Sequence, residues 1–121
     1  MTTTYPVPST TTVTQQQVDD LLCAAFEGGI SYWCDSAEVD GAGLPEGAKY
    51  KSDALTRGAR IRLHISDDDE VVSLTLSKFL EGIARAAAHY RASVDDFLED
   101  HDADSADAAV QYAVFGELVY G

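Results

Sequence analysis

The spacing of apolar residues predicts an amphipathic helix near the start of the chain. One helix face would carry Val18, Leu21, Leu22, Ala25 and Phe26, which recur at i, i+3, i+4, i+7 and i+8. Thr14 fits the N-cap, and Gln17 lies three residues later, as a capping box requires. Gly28 or Gly29 can supply the left-handed residue that ends such a helix. We therefore predict a helix over residues 14–27.

The next segment, ISYWCDSAEV at residues 30–39, is rich in residues that favour strands. In a strand, Ile30, Tyr32 and Cys34 would share one face, and Trp33 would lie on the other. The following residues, 40–58, hold four glycines, a proline and scattered charges. They predict a long loop, with a short edge strand near residues 48–51 as an option.

A clean alternation of apolar and polar residues follows in ARIRLHIS, residues 59–66, and predicts a second strand. Its inward face would consist of Ile61, Leu63 and Ile65. Residues 67–70, DDDE, read as a turn, and residues 71–76 read as the returning strand of a hairpin. A three-stranded antiparallel sheet is the simplest arrangement of these strands.

Helical spacing returns in the last third of the chain. A helix is predicted over residues 77–91, capped by Thr75 or Ser77, and a short helical turn over residues 93–100. A final helix would begin near Asp104 or Ser105 and end at Gly116. It carries a stripe of small residues that would permit close approach to another element: Ala106, Ala109 and Ala113.

These elements predict an α+β fold, with a small three-stranded antiparallel sheet packed against two to three helices. The length of 121 residues favours one domain over residues 13–121, preceded by a flexible N-terminal tail over residues 1–12. The chain contains no apolar run long enough to cross a membrane and no basic and apolar leader, so we expect neither a membrane span nor a signal peptide. Its two cysteines are expected to be reduced thiols.

The charge balance narrows the choice of partners. The chain has 21 acidic residues against 8 basic ones, a net charge of −13. Direct binding to nucleic acid or to an anionic membrane is disfavoured, because such binding relies on Lys and Arg that neutralise phosphates. An acidic surface favours a partner with a basic surface, such as a nucleic-acid-binding protein. The alternative is that the charge serves solubility alone.

The most conspicuous chemical pattern is DHDADSADAAVQ at residues 100–111. Asp100, Asp102 and Asp104 match positions 1, 3 and 5 of a twelve-residue calcium loop. Position 6 should be glycine but is Ser105, and position 12, which should be a glutamate, is a glutamine. Because the aspartates precede an alanine-rich helix, N-capping explains them more simply, and we expect no metal site.

No motif points to catalysis. His64, His89 and His101 share no metal-ligand spacing, and neither Cys23 nor Cys34 has a nearby basic residue that would lower the pKa of its thiol. The chain lacks a nucleophile elbow, a P-loop and a dinucleotide fingerprint. We therefore expect no cofactor and no enzymatic activity. A cleft that brings together Glu27, His64 or Glu117 would be needed to support an enzyme.

Two short blocks combine aromatic, carboxylate and glycine residues: FEGGISYWC at residues 26–34 and FGELVYG at residues 115–121. Aromatic rings beside free backbone N–H groups can hold a planar polar ligand. On this interpretation the ligand-binding residues are Glu27, Tyr32, Trp33, Glu117 and Tyr120. The alternative is that the aromatic residues of both blocks belong to the core.

The pattern A-x-E-G-G-x-x-Y-W at residues 25–33, with D-A-x-x-Q-x-A-x-F-G-E-x-V-Y-G at residues 107–121, resembles a family of small uncharacterised proteins encoded by bacteriophages and prophages. The resemblance implies a protein made in the cytoplasm of a host bacterium. It implies an accessory role, such as counter-defence or modulation of the host, and transfers no catalytic residue. The protein would block a basic host protein through its acidic surface, or sequester a small nucleotide-like ligand. The alternative is a structural or assembly protein that acts as a homo-oligomer.

Overall fold

The computed structural model describes residues 3–7, 12–41, 43–66 and 69–121. These form an α+β fold with four α-helices and two small antiparallel sheets, which confirms the predicted fold class. The helices are α1 (Gln15–Ala24), α2 (Leu76–His89), α3 (Val94–Glu99) and α4 (Ala103–Phe115). The strands are β1 (Thr4–Pro6), β2 (Thr12–Thr14), β3 (Cys34–Val39), β4 (Ile61–Ile65) and β5 (Val71–Leu74).

The predicted three-stranded sheet is confirmed, with strand order β3-β4-β5 and antiparallel pairing throughout. The inward face of β4 is formed by Ile61, Leu63 and Ile65, which are all buried, as the alternation predicted. Of the connecting turn predicted at residues 67–70, residues 67 and 68 lie outside the described part of the chain. The sheet buries one face of apolar side chains against the helices.

The first helix begins where the capping box placed it. The Thr14 hydroxyl accepts a hydrogen bond from the Gln17 backbone N–H at 3.1 Å, and the Gln17 side chain accepts one from the Thr14 N–H at 2.9 Å. The α-helical part ends at Ala24 and continues as one π-helical turn, Ala25–Gly29. Gly28 has φ of 154°, a conformation that side-chain-bearing residues rarely adopt, and the helix stops there.

The strand predicted over residues 30–39 begins four residues later, at Cys34. Residues 30–33 form a tight turn instead, in which the Trp33 and Cys34 N–H groups both donate to the Ile30 carbonyl, at 3.1 and 2.9 Å. The predicted alternation of faces over these residues is therefore wrong, because a turn does not follow the two-residue period of a strand. Trp33 is buried, whereas Tyr32 is 55% exposed.

The long loop contains two short 3₁₀ turns, Lys51–Asp53 and Leu55–Arg57, and the optional edge strand at residues 48–51 is not formed. Fully buried Leu55 fastens this segment to the core. The Arg57 guanidinium forms a salt bridge of 3.1 Å with Asp19 of α1. The Thr56 hydroxyl donates to the same carboxylate at 2.7 Å. These contacts hold the loop against the first helix.

The helices α2 and α4 pack closely where a glycine meets the small-residue stripe. A Cβ atom on Gly82 would lie 2.3 Å from the Ala109 carbonyl oxygen and 2.9 Å from the Ala113 Cβ. Ala106 and Ala109 are fully buried. The small residues of α4 therefore serve a helix contact within the chain.

The start of the chain differs from the predicted flexible tail where it is described. Strand β1 pairs with β2, with Tyr5 opposite Val13, and Val7 is 3% exposed. Residues 8–11 lie outside the described residues. Burial of the Val7 and Val13 side chains stabilises the packing of this segment on the domain. Among the described residues, no helix is both long and apolar enough to cross a membrane.

Candidate functional site

The turn at residues 30–33 is fastened to α4 by a buried carboxylate. Asp107, which is 8% exposed, accepts a hydrogen bond from the Trp33 indole N–H at 2.7 Å through Oδ1. Its Oδ2 accepts one from the Tyr32 hydroxyl at 2.5 Å. A buried carboxylate is costly unless its lone pairs are satisfied, so these donors are what allow Asp107 to occupy the middle of a helix.

One turn further along α4, Gln111 holds the end of the chain. Its Oε1 accepts hydrogen bonds from the N–H groups of Val119 and Tyr120, each at 2.8 Å. Its Nε2 donates to Asp107 at 2.9 Å and to the Tyr120 carbonyl at 3.1 Å. Gly116, with φ of 77°, ends α4 and lets the chain turn back toward this amide. Both functional groups of a side chain that is 1% exposed are thus satisfied by the backbone and by Asp107.

The aromatic rings of the two sequence blocks stack on each other. The Trp33 and Tyr120 rings lie with centroids 5.4 Å apart and planes inclined by 2°, and Phe115 lies 5.4 Å from Trp33. Trp33 is 1% exposed, so this stack is part of the core and not the wall of an open pocket. We call the group of Tyr32, Trp33, Asp107, Gln111 and Tyr120 the clasp.

The clasp perturbs one titratable group. Partial burial of the phenol and then the hydrogen bond to Asp107 raise the pKa of Tyr32 to about 12. Both effects favour the neutral phenol, because the phenolate would lose hydration and would face a carboxylate. The hydroxyl of Tyr32 is therefore a permanent donor under physiological conditions.

A groove of about 750 Å³ lies on the other side of the same turn, between the end of α1, strand β3 and the first 3₁₀ turn. This volume falls within the range of small-molecule sites. Its apolar floor comprises Cys23, Phe26, Ile30, Cys34 and Ala37. Its polar walls comprise Glu27, Ser31, Asp35, Ser36, Tyr50, Lys51 and Ser52.

Both cysteines of the chain line this groove as protonated thiols. Burial, followed by the hydrogen bond to Glu27 and that carboxylate's charge, raises the pKa of the Cys23 thiol. Burial also raises the pKa of Cys34, whose sulfur lies 3.3 Å from the Ser36 carbonyl oxygen. Such thiols are poor nucleophiles, because the thiolate is the reactive form.

The five predicted ligand-binding residues are not brought to one point. Tyr32, Trp33 and Tyr120 meet in the clasp, whereas Glu27 lines the groove on the other side of the turn. Glu117 is exposed just beyond the end of α4. Neither His64 nor Glu117 lines the groove with Glu27, so the geometry that would have supported an enzyme is not formed there.

Of the aspartates at residues 100–104, Asp102 caps a helix with its side chain, and Asp104 lies in the first turn of that helix. Asp102 accepts a hydrogen bond from the Ser105 N–H at 2.9 Å, and the Ser105 hydroxyl accepts one from the Asp102 N–H at 2.8 Å. This reciprocal pair starts α4. In the described ranges, no group of three or more histidine, cysteine or acidic side chains is arranged to hold a metal ion.

The sequence interpretation missed the roles of Asp107 and Gln111. Both lie on the helix face that points inward, four residues apart, among alanines and valines. A polar pair at that spacing on an otherwise apolar face indicates a buried hydrogen-bonded unit. Both residues also belong to the block at residues 107–121, for which the predicted ligand-binding residues were Glu117 and Tyr120.

Comparisons of the chain with protein-family models, with curated proteins and with solved structures find no match in any of the three. The roles of its residues therefore rest on the geometry described above.

Proposed function

We propose that the protein is a non-enzymatic accessory binding protein of phage type, which blocks a basic, nucleic-acid-binding protein of its bacterial host. It would act in the host cytoplasm, in counter-defence or in modulation of the host. The support is the distribution of charge over the folded chain, together with the resemblance of its two sequence blocks to small phage proteins.

The observation that carries the proposal is a row of exposed carboxylates along α3 and the start of α4, which no described cation neutralises. We call it the α3–α4 acidic face, and it comprises Asp95, Asp96, Glu99, Asp100, Asp102 and Asp104. All six residues are exposed, and none forms a salt bridge with a described residue. Their charge is therefore available to a partner, whereas Glu38 and Asp40 on the sheet already face Arg62.

Sequestration of a small ligand is the second candidate function, and the groove is the observation that favours it. The groove differs from the site expected at the aromatic–glycine blocks, because the rings of those blocks are stacked in the core. The homo-oligomer alternative loses the observation that motivated it. The small-residue stripe of α4 is already packed against Gly82 of α2.

Affinity capture at two salt concentrations tests the proposal. The tagged protein is incubated with nuclease-treated bacterial lysate at about 0.05 M and about 0.5 M salt, and captured proteins are identified by mass spectrometry. We expect nucleic-acid-binding proteins that are retained at low salt, released at high salt and displaced by added DNA. Retention that does not depend on salt, or captured proteins without a basic surface, would contradict the proposal.

A pair of matched variants locates the surface. Substitution of Asp95, Glu99 and Asp100 by Asn, Gln and Asn removes three charges from the α3–α4 acidic face. Substitution of Asp20, Glu46 and Glu70 by their amides removes three exposed charges elsewhere. We expect the first variant to lose most of the capture and the second to keep most of it. Equal losses would show that net charge acts, and not this face.

A further inference from the structure

The lining of the groove beside the clasp combines apolar side chains with two carboxylates. Phe26 and Ile30 lie in its floor with both cysteine side chains. Glu27 and Asp35 stand at its walls and are exposed. This combination selects a ligand with an apolar body and a positively charged or N–H-rich end.

The single cation of the groove does not cancel these carboxylates. The Lys51 ammonium donates to the Ala37 carbonyl oxygen at 2.6 Å, which anchors it to strand β3. Glu27 forms no salt bridge with any residue in the described ranges, and its carboxylate has only the weak thiol donor of Cys23. Asp35 accepts a hydrogen bond from the Ser66 hydroxyl at 2.8 Å and forms no salt bridge with a described residue. Of the two carboxylates in the groove, Glu27 therefore has the weaker hydrogen-bond donor.

We propose that this groove binds a planar guanidinium group on an apolar stem, with Glu27 as its anion. The inference deepens the proposed function, and it rests on that function where the guanidinium belongs to an arginine of the blocked partner. A free aryl or alkyl guanidine offers the same chemistry. A phosphate-bearing nucleotide is disfavoured, because its charge would meet two carboxylates and a single lysine.

The geometry of a guanidinium matches the groove in two respects. Its parallel N–H groups can bond both oxygens of a carboxylate, which an ammonium cannot do in the same way. Its flat face stacks on aromatic rings, and Phe26 and Tyr50 both line the groove. Tyr50 already attracts a cation, since the Lys49 ammonium lies 5.5 Å from the centre of its ring. The methylene stem of an arginine would cover the apolar floor.

The test uses phenylguanidine and its uncharged counterpart phenylurea, which has nearly the same shape. Each is titrated into isotopically labelled protein, and amide resonances are followed by NMR. We expect phenylguanidine to shift the amides of Phe26, Ile30 and Lys51, and phenylurea to bind at least about tenfold more weakly. Glu27→Gln should weaken phenylguanidine binding by a similar factor. Glu117→Gln removes one exposed charge outside the groove and should leave it unchanged.

A second pair of probes separates the two sources of the guanidinium. A capped tripeptide with a central arginine is compared with the same peptide carrying citrulline. Binding of the arginine peptide at the groove supports a partner's side chain as the ligand, whereas binding of phenylguanidine alone supports a free guanidine. Equal binding of phenylurea, or shifts that avoid the groove, would overturn the inference. Salt-sensitive capture of host proteins would survive that result, so the proposed function would stand separately.

Discussion

The two sides of the turn at residues 26–34 make opposite use of the same short segment. One side faces α4, where Tyr32 and Trp33 share the carboxylate of Asp107 and the indole is stacked on Tyr120. The other side faces the groove, where Glu27 stands exposed and Phe26 and Ile30 form an apolar floor. On the first side the phenol, the indole and the carboxylate are joined by hydrogen bonds, whereas the carboxylate on the second side forms no salt bridge with a described residue.

Most of the distinctive residues of the segment at residues 26–34 therefore have a structural role. Gly28 provides the positive φ that stops the helix. Gly29 provides a close approach, because a Cβ atom there would lie 2.7 Å from the Ala103 carbonyl oxygen at the start of α4. Tyr32 and Trp33 complete the clasp. Of the glutamate, the glycines, Tyr32 and Trp33, only Glu27 lacks such a role, and it lines the groove.

The largest effect should follow from removing the ring at the centre of the clasp. Trp33→Ala leaves a cavity and removes one of the hydrogen-bond donors of Asp107. We therefore expect the unfolding free energy to fall by about 3–5 kcal/mol. Urea denaturation followed by circular dichroism measures it, since the variant has no tryptophan left for fluorescence. Tyr50→Ala on the groove side, where the ring is 61% exposed, is the control and should cost less than about 0.5 kcal/mol. Similar losses in both variants would remove the distinction between the two sides.

The second-largest loss of stability should follow from releasing the end of the chain from Gln111. Gln111→Ala removes the amide that holds Val119 and Tyr120, and it leaves Asp107 with fewer donors, so we expect a loss of about 2–3 kcal/mol. Hydrogen exchange of the Val119 and Tyr120 amides should accelerate by more than that of the core amides of β4. Gln16→Ala is the matched control, because among the described residues the Gln16 amide bonds only the exposed Asp20. Unchanged exchange at the chain end would contradict this role of Gln111.

Part of this fold could be predicted from local sequence patterns. The capping box at Thr14, the alternation in β4 and the spacing in α2 and α4 depend on neighbours within a few residues, and the structure confirms these elements. The course of residues 30–33 depends on Asp107, more than 70 positions away, which draws the indole inward. Local β-propensity could not report that contact, and tertiary contacts override it here. The groove could not be predicted from local patterns either, because two separate stretches of the chain, residues 23–37 and 50–52, form it.

A pH titration of Tyr32 tests the side of the turn that faces α4, and we expect an effect of intermediate size. Because the pKa of Tyr32 is raised to about 12 in the folded protein, the proton is held more tightly there than in the unfolded chain. The stabilisation is complete below the ordinary tyrosine pKa near 10 and is lost as the pH rises through 12. Ultraviolet absorbance should therefore show a late tyrosine step that Tyr32→Phe removes. In that variant, stability should also fall less steeply between pH 10 and pH 12. Because burial also raises the pKa of Tyr90, the outcome that would contradict the assignment is a late step of unchanged size in Tyr32→Phe.

The smallest effect concerns the thiols on the groove side. Because the pKa of Cys23 and of Cys34 is raised, both should react with iodoacetamide at pH 7.5 more slowly than a free thiol. Burial is the main cause in both, but Glu27 contributes only to Cys23. Glu27→Gln should accelerate alkylation of Cys23 modestly and leave Cys34 unchanged, as read by mass spectrometry of the labelled peptides. Since Glu27 is exposed, the unfolding free energy should change by less than about 0.5 kcal/mol. A larger loss of stability would mean that Glu27 stabilises the turn. The carboxylate proposed to bind a guanidinium would then have a structural role.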